Sequence, residues 1–166
     1  MYKYSIFETP LGHMGIVSSA EGLHMVILPK RKAEEVKRAL EEHYTEELLR
    51  DEKGMEKIKQ KIKGYLEGKV RSFKEKMDVS GITPFEMKVW DTVIGIPYGE
   101  VRSYAWVAGK VGAPRKGRAV GQALKRNRLP VVIPCHRVIN KTGDLGGFSD
   151  GVEMKRKLLK IEGRLW

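Results

Sequence analysis

The 166-residue chain carries 32 Lys and Arg against 21 Asp and Glu, a net charge of +11, with one cysteine and four histidines. One cysteine excludes an intramolecular disulfide, and His13, His24, His43 and His136 stand too far apart for the close ligand spacing of a zinc site, so neither metal nor cofactor is expected. The first thirty residues alternate apolar and polar positions with no long apolar run, which argues against a signal peptide or membrane span there; the expectation is a cytoplasmic monomer.

In chain order, Tyr2–Glu8, His13–Ser18 and Leu23–Leu28 read as three short strands. The turn residues Thr9-Pro10-Leu11-Gly12 and Ala20-Glu21-Gly22 between them suit an antiparallel meander. Lys32–His43 reads as a helix, and Met55, Ile58, Ile62 and Leu66 recur at the spacing of one face of a second. Beyond Lys69 the apolar pattern weakens. Thr83-Pro84-Phe85-Glu86 then supplies a capping box with proline at the first helical position, so residues 1–80 form an α+β scaffold domain and residues 81–166 a second, mostly helical one.

The second domain's first helix is expected to run to Ile94 and stop at Gly95, with Phe85, Val89 and Val93 facing inward. Ser103 caps a short helix, Tyr104–Val111, ended by Gly112. Pro114 opens another over Arg115–Arg126, ended by Asn127, and the pair makes a plausible helix-turn-helix. Gly117 and Gly121 share a face of that helix with small neighbours Ala119 and Ala123, which fits either close packing on another helix or a slim helix entering a minor groove.

Charge is unevenly spread. Residues 1–83 hold 16 basic and 14 acidic side chains, a net +2, whereas residues 84–166 hold 16 and 7, a net +9. From Val101 to Gly143 there are ten basic residues and no acid, which suits a nucleic-acid partner as well as it suits a solvated basic face. Two Asn and two Gln in a chain rich in Lys, Arg and Glu hint at a thermophilic source. The apolar run Leu129–Pro134 delivers Cys135-His136-Arg137-Val138. A lone cysteine in such a run is usually inert core, but a thiolate needs cationic or hydrogen-bonding company, and His136 and Arg137 follow directly.

Ile133-Pro134-Cys135-His136-Arg137-Val138 resembles the active-site signature of the O6-alkylguanine-DNA alkyltransferases. Phe85-(x)4-Trp90, Ile96-Pro97-Tyr98-Gly99-Glu100-Val101, Ser103-Tyr104, Arg118-Ala119-Val120-Gly121, Gly146-Gly147-Phe148-Ser149 and Glu162-Gly163 follow in the family's order. The resemblance implies direct, single-use transfer of the alkyl group from O6-alkylguanine in double-stranded DNA to Cys135, with O4-alkylthymine a second candidate substrate. His136 is then the base acting through water, Glu162 its orienting carboxylate, and Tyr104 the proton donor to the leaving guanine. Arg118 fills the gap left by the flipped nucleotide, while Gly121, Ala119 and Arg115 belong to the DNA-binding helix. Val138 and Ser149 read the base, Phe148 closes over it where some relatives have tyrosine, and Asn127 braces the cysteine turn. The N-terminal cysteines that bind structural zinc in some relatives are lacking. Two other readings fit parts of the sequence: a helix-turn-helix regulator, which leaves Cys135 unused, and a cysteine hydrolase, which leaves the basic helix unused.

Overall fold

The computed structural model describes residues 1–165 and divides into two compact units, Met1–Ser80 and the chain from Gly81 onward. In the first unit β1 (Lys3–Thr9), β2 (Gly12–Ser19) and β3 (Gly22–Lys30) form the antiparallel meander, with Tyr4 opposite Val17 and Ile16 opposite Val26. A two-residue strand β4 (Leu49–Arg50) adds parallel to β1, so the sheet is four-stranded and mixed, in the order β3-β2-β1-β4. A strand this short has no readable alternation, which is why the sequence does not announce it.

Helix α1 (Ala33–His43) buries Val36 and Leu40 in a cluster with Val17, Met25 and Ile27. Helix α2 (Glu56–Leu66) buries Ile62, Tyr65 and Leu66, while Ile58 is half-buried. The chain leaves this unit alongside β3, where the Leu23 amide donates to Lys76 O at 2.9 Å and the Asp78 amide to Leu23 O at 2.8 Å.

The second unit contains α3 (Pro84–Ile94), β5 (Arg102–Ser103), α4 (Tyr104–Lys110), α5 (Gly117–Lys125), β6 (Val138–Ile139) and α6 (Val152–Ile161). Parallel pairing of β5 with β6 sets Arg102 beside Val138. The inward face of α3 differs from the sequence expectation: Val89 and Val93 are fully buried, but Phe85 is half-buried and Trp90 is fully buried as well, the largest such side chain. Its indole Nε1 donates to Ala123 O at 3.0 Å, which satisfies the buried N–H and ties α3 to α5.

Pro114 does not open α5. The Lys116 amide donates to Ala113 O at 2.9 Å, so Pro114 and Arg115 occupy the centre of a turn and the helix starts at Gly117. Proline at the second position of a β-turn is as favourable as at the first of a helix, and the turn wins here. Arg115 therefore precedes the helix instead of riding on it.

At the start of α3 the Thr83 hydroxyl accepts from the Glu86 amide at 3.2 Å, while the Glu86 carboxylate is drawn to Arg126 on the residue after α5, at 2.8 Å. Thr83→Ala should lower stability by about 0.5–2 kcal/mol, measured as a shift of the urea midpoint at constant slope. An unchanged midpoint would remove the cap from the account of α3.

Candidate active site

Cys135 begins a single 3-10 turn, Cys135–Arg137, that leads into β6. The segment before it is tightly constrained. Asn127 Nδ2 donates to Ile133 O at 2.9 Å, its Oδ1 accepts from the Leu129 amide at 2.9 Å, and the Ile133 amide donates to Leu129 O at 2.8 Å. Inside this loop Val131 has φ of 74°, the one non-glycine in the left-handed region among the described residues. A β-branched side chain there is strained, and such strain persists only where neighbours over-determine the backbone.

Cys135 is buried, with 9% of its surface exposed, and it lines a cavity of about 450 Å³ in the range typical of small-molecule sites. Tyr104 from α4, Gly117, Arg118 and Gly121 from α5, Asn127, and Gly146–Asp150 from the loop before α6 share its walls. The sequence candidates Tyr104, Arg118, Gly121, Asn127, Phe148 and Ser149 thus converge on the thiol. Arg115, Ala119 and Val138 are not part of the lining: Arg115 is exposed, Ala119 half-buried, and Val138 is buried in β6. Gly146, at φ of 75°, brings the loop backbone so close to Tyr104 that an added Cβ would lie 3.0 Å from the phenol oxygen.

Behind Cys135 lies a buried polar network. His136 Nε2 donates to Glu162 Oε2 at 2.5 Å, and Arg137 clamps the same carboxylate through Nε at 2.8 Å and Nη2 at 3.1 Å. The Gly99 amide adds a further donor at 2.9 Å, and Arg137 Nη1 donates to Ile96 O at 2.7 Å. Arg137 therefore spends its charge on Glu162 and not on the thiol beside it in the sequence.

Lys155 is a buried residue beside the site that the sequence candidates do not include. Fully buried, it donates from Nζ to Val138 O at 2.6 Å, to Gly147 O at 3.3 Å and to Leu145 O, joining β6 to the loop that walls the cavity. Its ammonium also stands 5.8 Å from the centre of the Tyr104 ring. Lys155, Leu158, Leu159 and Glu162 follow at the spacing of one helical face, so a lysine and a glutamate in register with two leucines were the available signal.

Burial pushes the Cys135 thiol up to about 11, against the pull of Asn127 and the Lys155 charge. Burial likewise pulls Lys155 down to about 8 and lowers His136, whose bond to Glu162 acts the other way. Tyr104 is raised by burial and by the neighbouring cysteine. For Glu162 burial alone would raise the pKa, but the bonds from His136, Arg137 and Gly99 outweigh it and hold the carboxyl at about 2. At rest the site therefore holds a thiol, a neutral imidazole with its proton on Nε2, and a carboxylate.

A carboxyl whose pKa falls on folding stabilises the fold above its ordinary value and loses that contribution as acid protonates it. The Glu162 contribution should be complete above about pH 4.5 and disappear between about 4.5 and 2. Glu162→Gln should be less stable at neutral pH and lose less of what remains across that window. Parallel acid-unfolding curves for the two proteins would contradict this.

Two family models cover the chain: the 6-O-methylguanine DNA methyltransferase ribonuclease-like domain matches residues 2–79, and the DNA binding domain of the same name matches residues 84–164. The methylated-DNA–protein-cysteine methyltransferase of Methanosarcina acetivorans is 38% identical over 96% of this chain and 97% of its own length. The constitutive enzyme of that name from Bacillus subtilis is 39% identical over 98% and 96%. Among solved structures, Mycobacterium tuberculosis OGT in complex with DNA superposes with a TM-score of 0.81 at 30% identity, over 96% of this chain and 92% of that one. With half or more of the sequence inside one family's models and near-complete overlap with its members, this chain belongs to the methylated-DNA–protein-cysteine methyltransferase family.

Proposed function

We propose that the protein repairs alkylated DNA by taking the alkyl group of O6-alkylguanine onto Cys135, once per molecule. The observation that carries this reading is a single buried thiol at the wall of a cavity of about 450 Å³, with a His136–Glu162 pair beginning at the next residue. A thiol that titrates near 11 is protonated at neutral pH, so attack needs a base. His136 is suited to that part because its Nε2 is held by Glu162 and Nδ1 is the nitrogen on which a proton from Cys135, relayed by water, must arrive. The sulfur attacks the alkyl carbon, a C–S bond forms, and the bond from that carbon to O6 breaks with its electron pair left on guanine. Tyr104 supplies a proton to the leaving guanine. The imidazolium is stabilised by the Glu162 carboxylate, and solvent returns the proton balance between His136 and Tyr104.

A base inside a duplex cannot reach a buried sulfur, so the damaged nucleotide has to leave the stack. In this reading Arg118, exposed and part of the cavity lining, fills the gap, and Gly117 and Gly121 leave that face of α5 slim enough for a minor groove about 6 Å wide. The helix pair α4 and α5 then serves as a helix-turn-helix, with Arg115 and Ala119 meeting the duplex outside the cavity. Phe148 and Ser149 close over the flipped base and Asn127 keeps Cys135 at attacking position, whereas Val138, buried outside the cavity lining with its amide bonded to Cys135 O and its carbonyl to Lys155, holds β6 and does not read the base. Lys155 holds the closing loop and offers the developing thiolate a positive charge.

Incubation with duplex carrying O6-methylguanine should leave one stable methyl group per protein molecule, located on Cys135 by mass spectrometry. Cys135→Ser should abolish transfer and retain DNA binding, because a hydroxyl is a far weaker nucleophile than a thiol. Repeated turnover, or substantial transfer by the serine variant, would overturn the reading.

Arg118→Ala should slow repair of a well-paired lesion more than repair of the same lesion in a bulge, since only the paired base resists unstacking. Equal slowing on both substrates would reduce Arg118 to a phosphate contact.

A further inference from the structure

Trp106 is an indole the cavity does not use. It is 36% exposed, and it follows Tyr104 by two residues on α4, a rotation of about 200° that carries it away from the cavity wall. Val107 and Ala108 make the core contacts of that helix, so the indole is not needed to seat it.

Two cations stand against the ring instead. The Arg102 guanidinium carbon lies 5.3 Å from its centre and Lys110 Nζ 5.4 Å, both within the range of cation–π attraction. Arg102 is fixed further by donating from Nη1 to Val101 O and from Nη2 to Glu100 Oε1, each at 2.9 Å. Two positive charges gathered on one ring repel one another, and the arrangement becomes favourable when an anion is shared between them. Glu100 engages Arg102 from one side, and no acidic residue occurs in the sequence from Val101 to Gly143.

We propose that Trp106 with Arg102 and Lys110 forms a second DNA contact outside the lesion cavity, in which the indole holds the two cations as a paired grip on backbone phosphates. This rests on DNA being the partner. Phosphates suit the site better than a stacked base, because the ring already carries both cations and duplex DNA presents a negative charge about every 1.7 Å along its axis. Held against the ring, the long basic side chains have less rotamer freedom left to lose on binding. The ring is thus a positioning group and the cations meet the phosphates.

Affinity for undamaged duplex should be measured across a salt series for the wild type, Trp106→Ala, Trp106→Phe and Lys110→Ala, alongside the single-turnover transfer rate at saturating lesion duplex. Removing one phosphate interaction should weaken binding by up to about tenfold at 0.1 M salt and flatten the log–log salt slope by about 1. Trp106→Ala and Lys110→Ala should both behave in this way, Trp106→Phe should restore most of the binding, and transfer at saturation should be unchanged in all three. Unchanged affinity and slope in both alanine variants would overturn the proposal. Weaker binding with the slope intact in Trp106→Ala would overturn it in favour of a stacked base. The wild-type arm tests the repair reading itself: duplex bound without salt dependence and no alkyl transfer would defeat that reading, whatever the variants did.

Discussion

The Glu162 carboxylate accepts from His136, twice from Arg137 and from the Gly99 amide, so three separate stretches of chain meet on one buried charge. Such an ion is tolerated only when its lone pairs are filled, because several kcal/mol of desolvation must be offset by good geometry. Glu162 directly follows α6, Gly99 lies in the turn after α3, and the histidine and arginine come from the cysteine turn. Removing any donor leaves the others around an undersatisfied charge. The geometry of His136, the neighbour of Cys135, is therefore set by the packing of the whole second unit.

The same low-dielectric setting bears on how a buried cysteine could react as proposed. Desolvation holds it as a thiol, and the carboxylate that would repel a thiolate is already neutralised by Arg137. In the proposed reaction the charge created when His136 takes the proton is met by a carboxylate fixed in advance, so little rearrangement is needed at that moment. Lys155 complements this with a positive charge. Its ammonium is held by carbonyl oxygens of β6 and of the cavity loop, which leave that charge unneutralised, and it bears directly on Cys135.

Much of this is legible in the sequence wherever a residue acts through local chemistry. Thr83-Pro84 marks the start of α3, Ser103 caps α4 through the Trp106 amide at 3.0 Å, and the alternation before Lys30 announces the meander. The convergence of Tyr104, Arg118, Asn127, Phe148 and Ser149 on Cys135 is implied only by the family resemblance, since nothing local links them. What escapes is decided by tertiary context. Strand β4 and the β5–β6 pair are too short to show a period, and Pro114 fits a turn as well as a helix start. A lysine buried by carbonyls looks in sequence like any exposed lysine, and Arg137 beside Cys135 looks like a partner for the thiol until Glu162 is seen to claim it.

The glycines of α5 show which demand prevails where stability and access conflict. Gly117 is the first residue of the helix, but Gly121 lies inside it, where glycine costs roughly 0.5–1 kcal/mol relative to alanine, and close packing against a neighbour is the ordinary compensation. That compensation is missing here. A Cβ at Gly121 would meet nothing within 4 Å, and one at Gly117 would only touch Tyr104 Cβ at 4.0 Å. Packing therefore does not require either glycine, although both line the cavity that holds Cys135. The helix keeps its inner face with Val120, Ala123 and Leu124 and gives up stability on its outer one. A local rule broken without a structural return is expected at a working surface, where space must be left for something the folded chain does not itself contain.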